Sequence, residues 1–186
     1  MTDQLAQIAE TYRDAQRRLH ALDARIDDET FNAKPSEKSW SVGECIVHLN
    51  TMAKGYLPVF DAALEDVDAP KADGPFRWGW FSRKFIDMIR PGTRPIPTAG
   101  AMKPPSTTGL RSEIDRERAV SRFDSDIARY LEIIETSDGL DLAAIRVASP
   151  FLKLMRLPLG AFLEAMGVHA QRHIAQAERA ADAAAG

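Results

Sequence analysis

Apolar residues recur along four stretches of the chain with the spacing of α-helices. Residues 2–26, 42–64, 113–135 and 158–183 place most of their apolar side chains three or four positions apart. This period collects the apolar side chains on one face of a helix, where they pack against a neighbouring element. The pattern therefore predicts a bundle of four long helices.

Local signals mark where three of these helices begin, and one signal interrupts a helix. Ser41 followed by Glu44 forms a capping box, in which each side chain accepts a hydrogen bond from a backbone N–H at the helix start. Ser112 is the expected cap of the third helix, and Pro158 suits the first position of the fourth helix. Pro58 falls inside the second helix and predicts a kink or an early end there.

The stretch between the second and third helices has a different composition. Residues 66–110 hold seven of the eleven prolines of the chain, and proline interrupts regular helix. A short helix is expected near residues 76–89, and the connection is long enough for the second and third helices to run parallel. The chain shows no pattern of strands joined by hairpin turns. We expect one domain over residues 1–186.

One part of this stretch, residues 76–85, is both aromatic and basic. Its side chains suit a lid over a site, a contact between two copies of the chain, or a helix lying on a membrane surface. The simplest interpretation is a short helix that covers one end of the bundle. A lid and this simple cover are the two favoured interpretations.

Charge and cysteine content restrict the classes of function. The net charge of the 186-residue chain is −3, so no basic surface indicates a nucleic-acid partner. No apolar run is long enough for a membrane span, and the N-terminus lacks a signal-peptide pattern. Cys45 is the single cysteine, which excludes an internal disulfide and fits a reducing compartment. We therefore expect a cytoplasmic protein.

Three of the four histidines fall on apolar faces of the predicted helices. His169 and His173 are four residues apart, which places them one turn apart on one face, and His48 lies on the apolar face of the second helix. Helix-borne pairs with this spacing bind metal in other proteins, and neutral imidazole is a preferred ligand of transition metals. His20, beside Leu19, is expected to be partly exposed and outside the site.

Residues beside these histidines have two interpretations each. Glu44 lies one turn before His48 on the same face, so it is a candidate to orient His48 or to move a proton, besides capping its helix. Gln176 lies one turn past His173 and is either a hydrogen-bond partner of that imidazole or a core hydrogen-bonding group. Cys45 is either a nucleophile or, as we favour, a small buried core residue.

Two motifs resemble those of the DinB-like family of four-helix-bundle proteins. Residues 40–49 are similar to the family signature Trp-Ser-x-x-Glu-x-x-x-His-Leu, and His169-x-x-x-His173-x-x-Gln176 is similar to its C-terminal metal motif. The resemblance implies an all-α, up-down-down-up bundle with a long Pro-rich crossover between its second and third helices. It also implies a divalent metal (Zn, Ni, Fe or Mn) held by His48, His169 and His173, and frequent homodimers.

The resemblance further implies two kinds of chemistry. Some relatives transfer or isomerise substrates with a low-molecular-weight thiol such as bacillithiol or mycothiol, and others are proposed hydrolases. Three neutral ligands leave a metal with its full charge and an open position, so it lowers the pKa of a thiol or water. We therefore expect a metal-dependent transferase or hydrolase with a small-molecule substrate. The alternatives are a non-catalytic, stress-related bundle that binds a metal or ligand, and histidines that only hydrogen-bond within the core.

Overall fold

Long helices occupy the four stretches that the apolar spacing marks. The computed structural model describes residues 1–65, 70–94, 97–98, 100–104 and 109–184. Its helices are α1 (Asp3–Asp23), α2 (Asp28–Asn32), α3 (Val42–Leu64), α4 (Trp80–Met88), α5 (Arg116–Thr136) and α6 (Leu159–Ala184), with a 3₁₀ turn at Gly100–Met102. The structure is mostly helical, in agreement with the all-α class expected from the sequence.

The long helices share one apolar core. Helix α1 packs against α5 and α6, and α3 packs against the same two helices. The largest buried side chains come from these helices and from α2; they include Tyr12, Phe31, Tyr56, Phe60 and Phe162. None of the described helices is long and apolar enough to cross a membrane. The up-down-down-up order and the crossover remain predictions, and residues 66–69, 95–96, 99 and 105–108 of that stretch lie outside the described residues.

Helix α3 begins and ends as the sequence predicts. The Ser41 hydroxyl accepts a hydrogen bond from the backbone N–H of Glu44 at 3.1 Å, and the Glu44 carboxylate accepts one from the N–H of Ser41 at 2.9 Å. Both halves of the capping box are therefore present. The helix continues past Pro58 to Leu64, so the early end considered for that position does not occur.

The third long helix begins three residues later than expected and the fourth begins one residue later, at Arg116 and Leu159. Asp115, not Ser112, caps α5, by accepting a hydrogen bond from the N–H of Arg118 at 2.9 Å. The Ser112 hydroxyl is buried and donates to the side-chain oxygen of Asn32 at 2.7 Å. Pro158 ends a β-strand, and α6 begins one residue later. Tertiary hydrogen bonds thus override a local capping preference.

A short antiparallel hairpin before α6 was not expected from the sequence. Strand β1 (Arg146–Ala148) pairs with β2 (Arg156–Pro158), with Val147 opposite Leu157. Both of these side chains are buried, so the hairpin packs them into the core. Each strand has three residues, which is too short for an alternating pattern to stand out in the sequence.

Candidate metal centre

The imidazoles of three histidines meet between α3 and α6. The Nε2 atom of His169 lies 3.5 Å from that of His48 and 3.1 Å from that of His173. One ligand nitrogen from each ring lies within 4.8 Å of the others. His48 and His173 are buried, while His169 is partly exposed. The fourth histidine, His20, is exposed on α1 and bonds to Asp124 at 2.8 Å.

Hydrogen bonds on the far side of two rings direct their Nε2 atoms to this meeting point. His48 donates its Nδ1–H to the backbone carbonyl of Met102 at 2.6 Å. His173 donates its Nδ1–H to the side-chain oxygen of Gln176 at 3.1 Å. A neutral imidazole carries one proton, so each of these rings presents an unprotonated Nε2. This is the tautomer in which Nε2 binds a metal.

Burial keeps the three rings neutral. It lowers the pKa of His48, and it lowers the pKa of His173 well below the usual value, with further lowering from the neighbouring histidines. For His169, burial and then the nearby His48 lower the pKa to about 3. Only neutral imidazole binds a metal, so the site holds its histidines in the binding form at neutral pH.

The spacing of the nitrogens fits a single metal ion. Tetrahedral zinc with bonds of 2.0–2.1 Å to imidazole nitrogens holds those nitrogens about 3.3 Å apart. The separations from His169 to His48 and to His173 are 3.5 and 3.1 Å. Nitrogen donors of this kind suit Zn, Ni and Fe. The described residues therefore fit the metal that three inward-facing histidines imply.

An aromatic side chain completes the surroundings of the rings. The indole of Trp40, just before the Ser41 cap, lies with its ring centroid 5.0 Å from that of His48 and 5.5 Å from that of His173. Trp40 thus contacts one imidazole from α3 and one from α6. It restricts the tilt of both rings and covers one side of the cluster.

Glu44 lies near the cluster, but the hydrogen bond that orients His48 comes from elsewhere. One Glu44 oxygen accepts the Ser41 N–H at 2.9 Å, and the other lies 3.7 Å from the ammonium of Lys34. The Nδ1–H of His48 goes to the Met102 carbonyl instead. The structure therefore shows Glu44 in its capping role and in a buried ion pair.

Comparison with known proteins agrees with the two motifs. The family model of the DinB superfamily matches residues 11–177. The chain belongs to the DinB superfamily. No curated protein and no solved structure gives a significant match. The match covers α3 and the part of α6 that carries His169 and His173.

Beside the histidines, this DinB-superfamily protein has a pocket of about 1150 Å³. One part of its wall is apolar, with Met52, Phe85, Met88, Ile89 and Phe151. Charged residues that line it are Lys34, Lys38, Lys103, Arg172, Arg179, Glu37 and Glu44. The pocket is large enough for a small-molecule ligand, and all three histidines line it.

Helix α4 forms one wall of this pocket. Trp78, just before the helix, packs its indole against Gly160 so closely that a Cβ there would overlap the ring. Its Nε1–H donates to Glu164 at 2.5 Å. Phe85 and Met88 of α4 face the pocket, whereas Trp80 is 68% exposed. Residues 76–85 thus contribute to a wall of the pocket, and the roles expected for them from the sequence remain predictions.

Arg172 ties the residues after α4 to helix α6. Its guanidinium donates to the carbonyls of Arg90 and Arg94, each at 2.9 Å, and to the hydroxyl of Thr93. Arg172 lies one position before His173, so this anchor borders the histidine cluster. Gly92 and Thr93 line the pocket as a result.

One candidate from the sequence lies in the core, and other contributors to the site were not expected from the sequence. Cys45 is fully buried in the apolar core, where burial raises the pKa of its thiol, so it is not a nucleophile facing the pocket. Trp40 was identified only as part of a motif, although its place in the signature was a usable signal. Met102 acts through its backbone carbonyl, which carries no side-chain signal at all.

Proposed function

We propose that this protein is a metal-dependent enzyme of transferase or hydrolase type. One observation carries the proposal: three neutral imidazoles from two helices direct nitrogens to one point at the wall of a large pocket. Three protein ligands are typical of catalytic zinc sites, which keep a position open for water or substrate. Superfamily membership and this cluster support metal binding, and the reaction is our inference.

In this proposal His48, His169 and His173 hold a divalent ion (Zn, Ni, Fe or Mn). The ion would supply Lewis-acid activation, lowering the pKa of a thiol or a water beside it. Met102 and Gln176 hold two of the imidazoles in the binding tautomer through their hydrogen bonds. Trp40 and the apolar wall lower the local polarity around the rings, which strengthens electrostatic interactions there.

The charge of the pocket favours an anionic substrate or cosubstrate. Five cations line it against two carboxylates, and one of those carboxylates, Glu44, is paired with Lys34. Arg179 and Lys103 are exposed at the pocket, where they attract a negatively charged group. We propose a small molecule with an anionic group and an apolar part. The pocket also has room for a low-molecular-weight thiol cosubstrate beside this molecule.

A second candidate function is non-catalytic binding of a metal or ligand. Among the described pocket-lining residues, Glu44 is the buried carboxylate, and both of its oxygens are engaged. Among the described residues that line the pocket, no buried carboxylate is therefore free to act as a general base of the kind that most hydrolases use. A protein that binds a metal or senses a small molecule needs no such group.

Two further sequence-based predictions belong to this proposal. We propose a homodimer, for which exposed Trp80 and Phe81 on α4 offer an apolar contact. Analytical ultracentrifugation of the wild type and of Trp80→Ser/Phe81→Ser tests this, since a dimer through α4 dissociates in the variant. We also propose a cytoplasmic location, which cell fractionation tests.

Metal content is the decisive measurement for the metal site. Protein purified without an affinity tag is analysed by mass spectrometry, beside the His169→Ala/His173→Ala variant and a His20→Ala control. We expect close to one metal ion per chain in the wild type and in the control, and loss in the double variant. His20 is the matched control because it is exposed and bonds only to Asp124 among the described residues.

The outcome also separates the two candidate functions. Absence of metal from the wild type, together with no uptake on titration, would contradict the metal site itself. If the metal is present, thiol-transfer and hydrolysis assays on the metal-loaded protein follow. Turnover that the double variant lacks supports the enzyme. Tight metal binding with anionic ligands that bind without reacting supports the non-catalytic function.

A further inference from the structure

The side chains that line the pocket change in character along helix α3. At intervals of four residues, this wall carries Glu44, His48, Met52 and Tyr56. Successive members of this series are about 6 Å apart along the helix axis. Their order runs from a carboxylate, through a histidine, to a thioether and an aromatic ring. The α3 wall of the pocket is therefore charged at one end and mainly apolar at the other.

Helix α6 shows the same change in the opposite direction along the chain. Its pocket-lining side chains include, in order, Met166, His169, His173, Gln176 and Arg179. Met166 lies about 4.5 Å before His169 along the axis, and Arg179 lies about 9 Å after His173. The α6 wall of the pocket thus runs from an apolar side chain, past the histidines, to a cation.

Contacts between the two helices align these gradients. The ring centroid of Tyr56, late in α3, lies 5.2 Å from that of Phe162, early in α6. Between the ends, the ring centroids of His48 and His173 are 4.5 Å apart. Later positions of α3 therefore face earlier positions of α6. The apolar ends of both walls lie on one side of the histidine cluster, and the charged ends lie on the other side.

Arg179 is a cation at the charged end with no partner of its own. Its guanidinium forms no ion pair or hydrogen bond with any residue that the structure describes. Burial and then Glu44 raise the pKa of the Cys45 thiol, and the charge of Arg179 opposes them, so Arg179 lies near the start of α3. Glu44 is instead paired with Lys34 at 3.7 Å, and Glu37 is exposed to solvent. The exposed Arg179 is therefore free to bind an anion from solution.

The loop of the hairpin borders the apolar end. Phe151 lies with its ring centroid 5.7 Å from that of Tyr56, and both Phe151 and Leu152 line the pocket. Leu152 is 40% exposed, whereas Leu154, two residues further on, is 97% exposed and does not line the pocket. The loop thus contributes one leucine to the pocket and presents another to solvent.

We propose that the pocket binds an elongated amphiphilic anion in one direction. Its anionic group lies at Arg179, its apolar part lies against Phe151 and Leu152, and the atoms between them pass the histidines. A guanidinium binds a carboxylate or phosphate through two parallel hydrogen bonds, and burial of an apolar chain adds affinity that does not depend on the anion. Reaction at the middle of this ligand rests on the function proposed above, whereas its binding does not.

Decanoate is the probe, because it combines a carboxylate with an apolar chain. Calorimetric titration compares it with decan-1-ol, which lacks the charge, and with butanoate, which lacks most of the chain. The protein is titrated as purified and after chelator treatment. Arg179→Gln removes the cation, and Arg118→Gln is its control, since Arg118 is exposed on α5 and does not line the pocket. Leu152→Ser removes an apolar contact, and Leu154→Ser is its control.

We expect Arg179→Gln to weaken decanoate binding about tenfold and to leave decan-1-ol binding unchanged. Leu152→Ser weakens the binding of both ten-carbon ligands by about three- to tenfold and has little effect on butanoate. The two control variants match the wild type. A variant that had lost its structure would lose all three ligands together, so this pattern distinguishes contacts with the ligand from a general structural role.

Different results contradict different parts of the proposal. If decanoate does not bind at millimolar concentration, the whole proposal is wrong, and equal decanoate affinity in Arg179→Gln and the wild type would show that the anionic group lies elsewhere. If the protein binds no metal, the proposed function fails, and titrations of the metal-free protein still decide whether the pocket takes an amphiphilic anion.

The direction of the ligand has its own measurement when the histidines bind metal. With Mn²⁺ in the site, NMR relaxation of the decanoate protons should be enhanced most in the middle of the chain. Enhancement that is strongest beside the carboxylate would mean that the anion binds the metal rather than Arg179, which would overturn the proposed direction.

Discussion

Trp40 stacks on His173, with ring centroids 5.5 Å apart and planes 25° from parallel. The same indole lies tilted against His48, with centroids 5.0 Å apart. Trp40 precedes α3, His48 lies about two turns inside it, and His173 lies on α6. One aromatic side chain therefore contacts two imidazoles that lie far apart in the sequence.

Replacing this indole is expected to weaken metal binding. Trp40→Ala removes the surface that restricts both rings, so we expect a loss of roughly tenfold in zinc affinity, as for other residues that orient ligands. Trp40→Phe keeps an aromatic face and most of the affinity. Trp80→Ala is the control, because Trp80 is 68% exposed on α4. Equal affinity in Trp40→Ala and the wild type, measured by competition titration, would show that the stacking has no part in binding.

His48 is the ligand candidate that lies far from the other two in sequence. We expect His48→Ala to lower metal affinity by more than the 10- to 100-fold typical of an outer hydrogen-bond partner. The remaining pair on α6 then binds metal only weakly. Metal content and thermal stability are measured together on tag-free protein. Unchanged values of both would remove His48 from the site.

The metal-free protein should lose stability as the pH falls below the usual histidine pKa. Burial lowers the folded-state pKa of His48, His169 and His173, that of His169 to about 3. Below about pH 6.5, the usual histidine pKa, the unfolded chain therefore binds more protons than the folded chain, which favours unfolding. Each histidine contributes up to about 1.4 kcal/mol per pH unit in this window.

Urea unfolding of chelator-treated protein at pH 7, 6 and 5 checks this dependence. The His169→Ala/His173→Ala variant lacks two of the groups, so its free energy of unfolding should depend less on pH. Arg172, which further lowers the pKa of both histidines, is retained in both proteins. Identical pH profiles for the variant and the wild type would contradict the prediction.

Two substitutions of Glu44 distinguish its role in helix capping from a role at the metal site. Glu44→Gln keeps an oxygen for the Ser41 N–H, because glutamine also forms a capping box, whereas Glu44→Ala loses it. We expect Glu44→Ala to be less stable than Glu44→Gln by about 1 kcal/mol. Both lose the ion pair with Lys34, so this difference reports the cap.

Metal affinity should be the same in the wild type and in Glu44→Gln, since the Nδ1–H of His48 goes to Met102. Calorimetric titration with zinc measures it. A clear loss of affinity in Glu44→Gln, with stability retained, would mean that the carboxylate orients His48 after all. Loss of turnover with affinity retained would point instead to proton transfer by Glu44.

Much of the helical part of the fold could be predicted from local sequence. The start of α3 was predicted correctly because it carries two reciprocal capping side chains, Ser41 and Glu44. The start of α5 was not predicted correctly. The Ser112 hydroxyl donates a hydrogen bond to Asn32, and Asp115 caps the helix instead. The hairpin before α6 was missed because three-residue strands have no period to detect.

The sequence by itself determined that three histidines occupy apolar helix faces, because helical spacing is a local property of the chain. Tertiary structure alone decided that their Nε2 atoms meet. Only packing of α3 against α6 brings His48 to His169, and only the 3₁₀ turn at Gly100–Met102 supplies the carbonyl that orients His48. A backbone oxygen leaves no mark on the order of side chains, so only the folded structure shows that it orients His48.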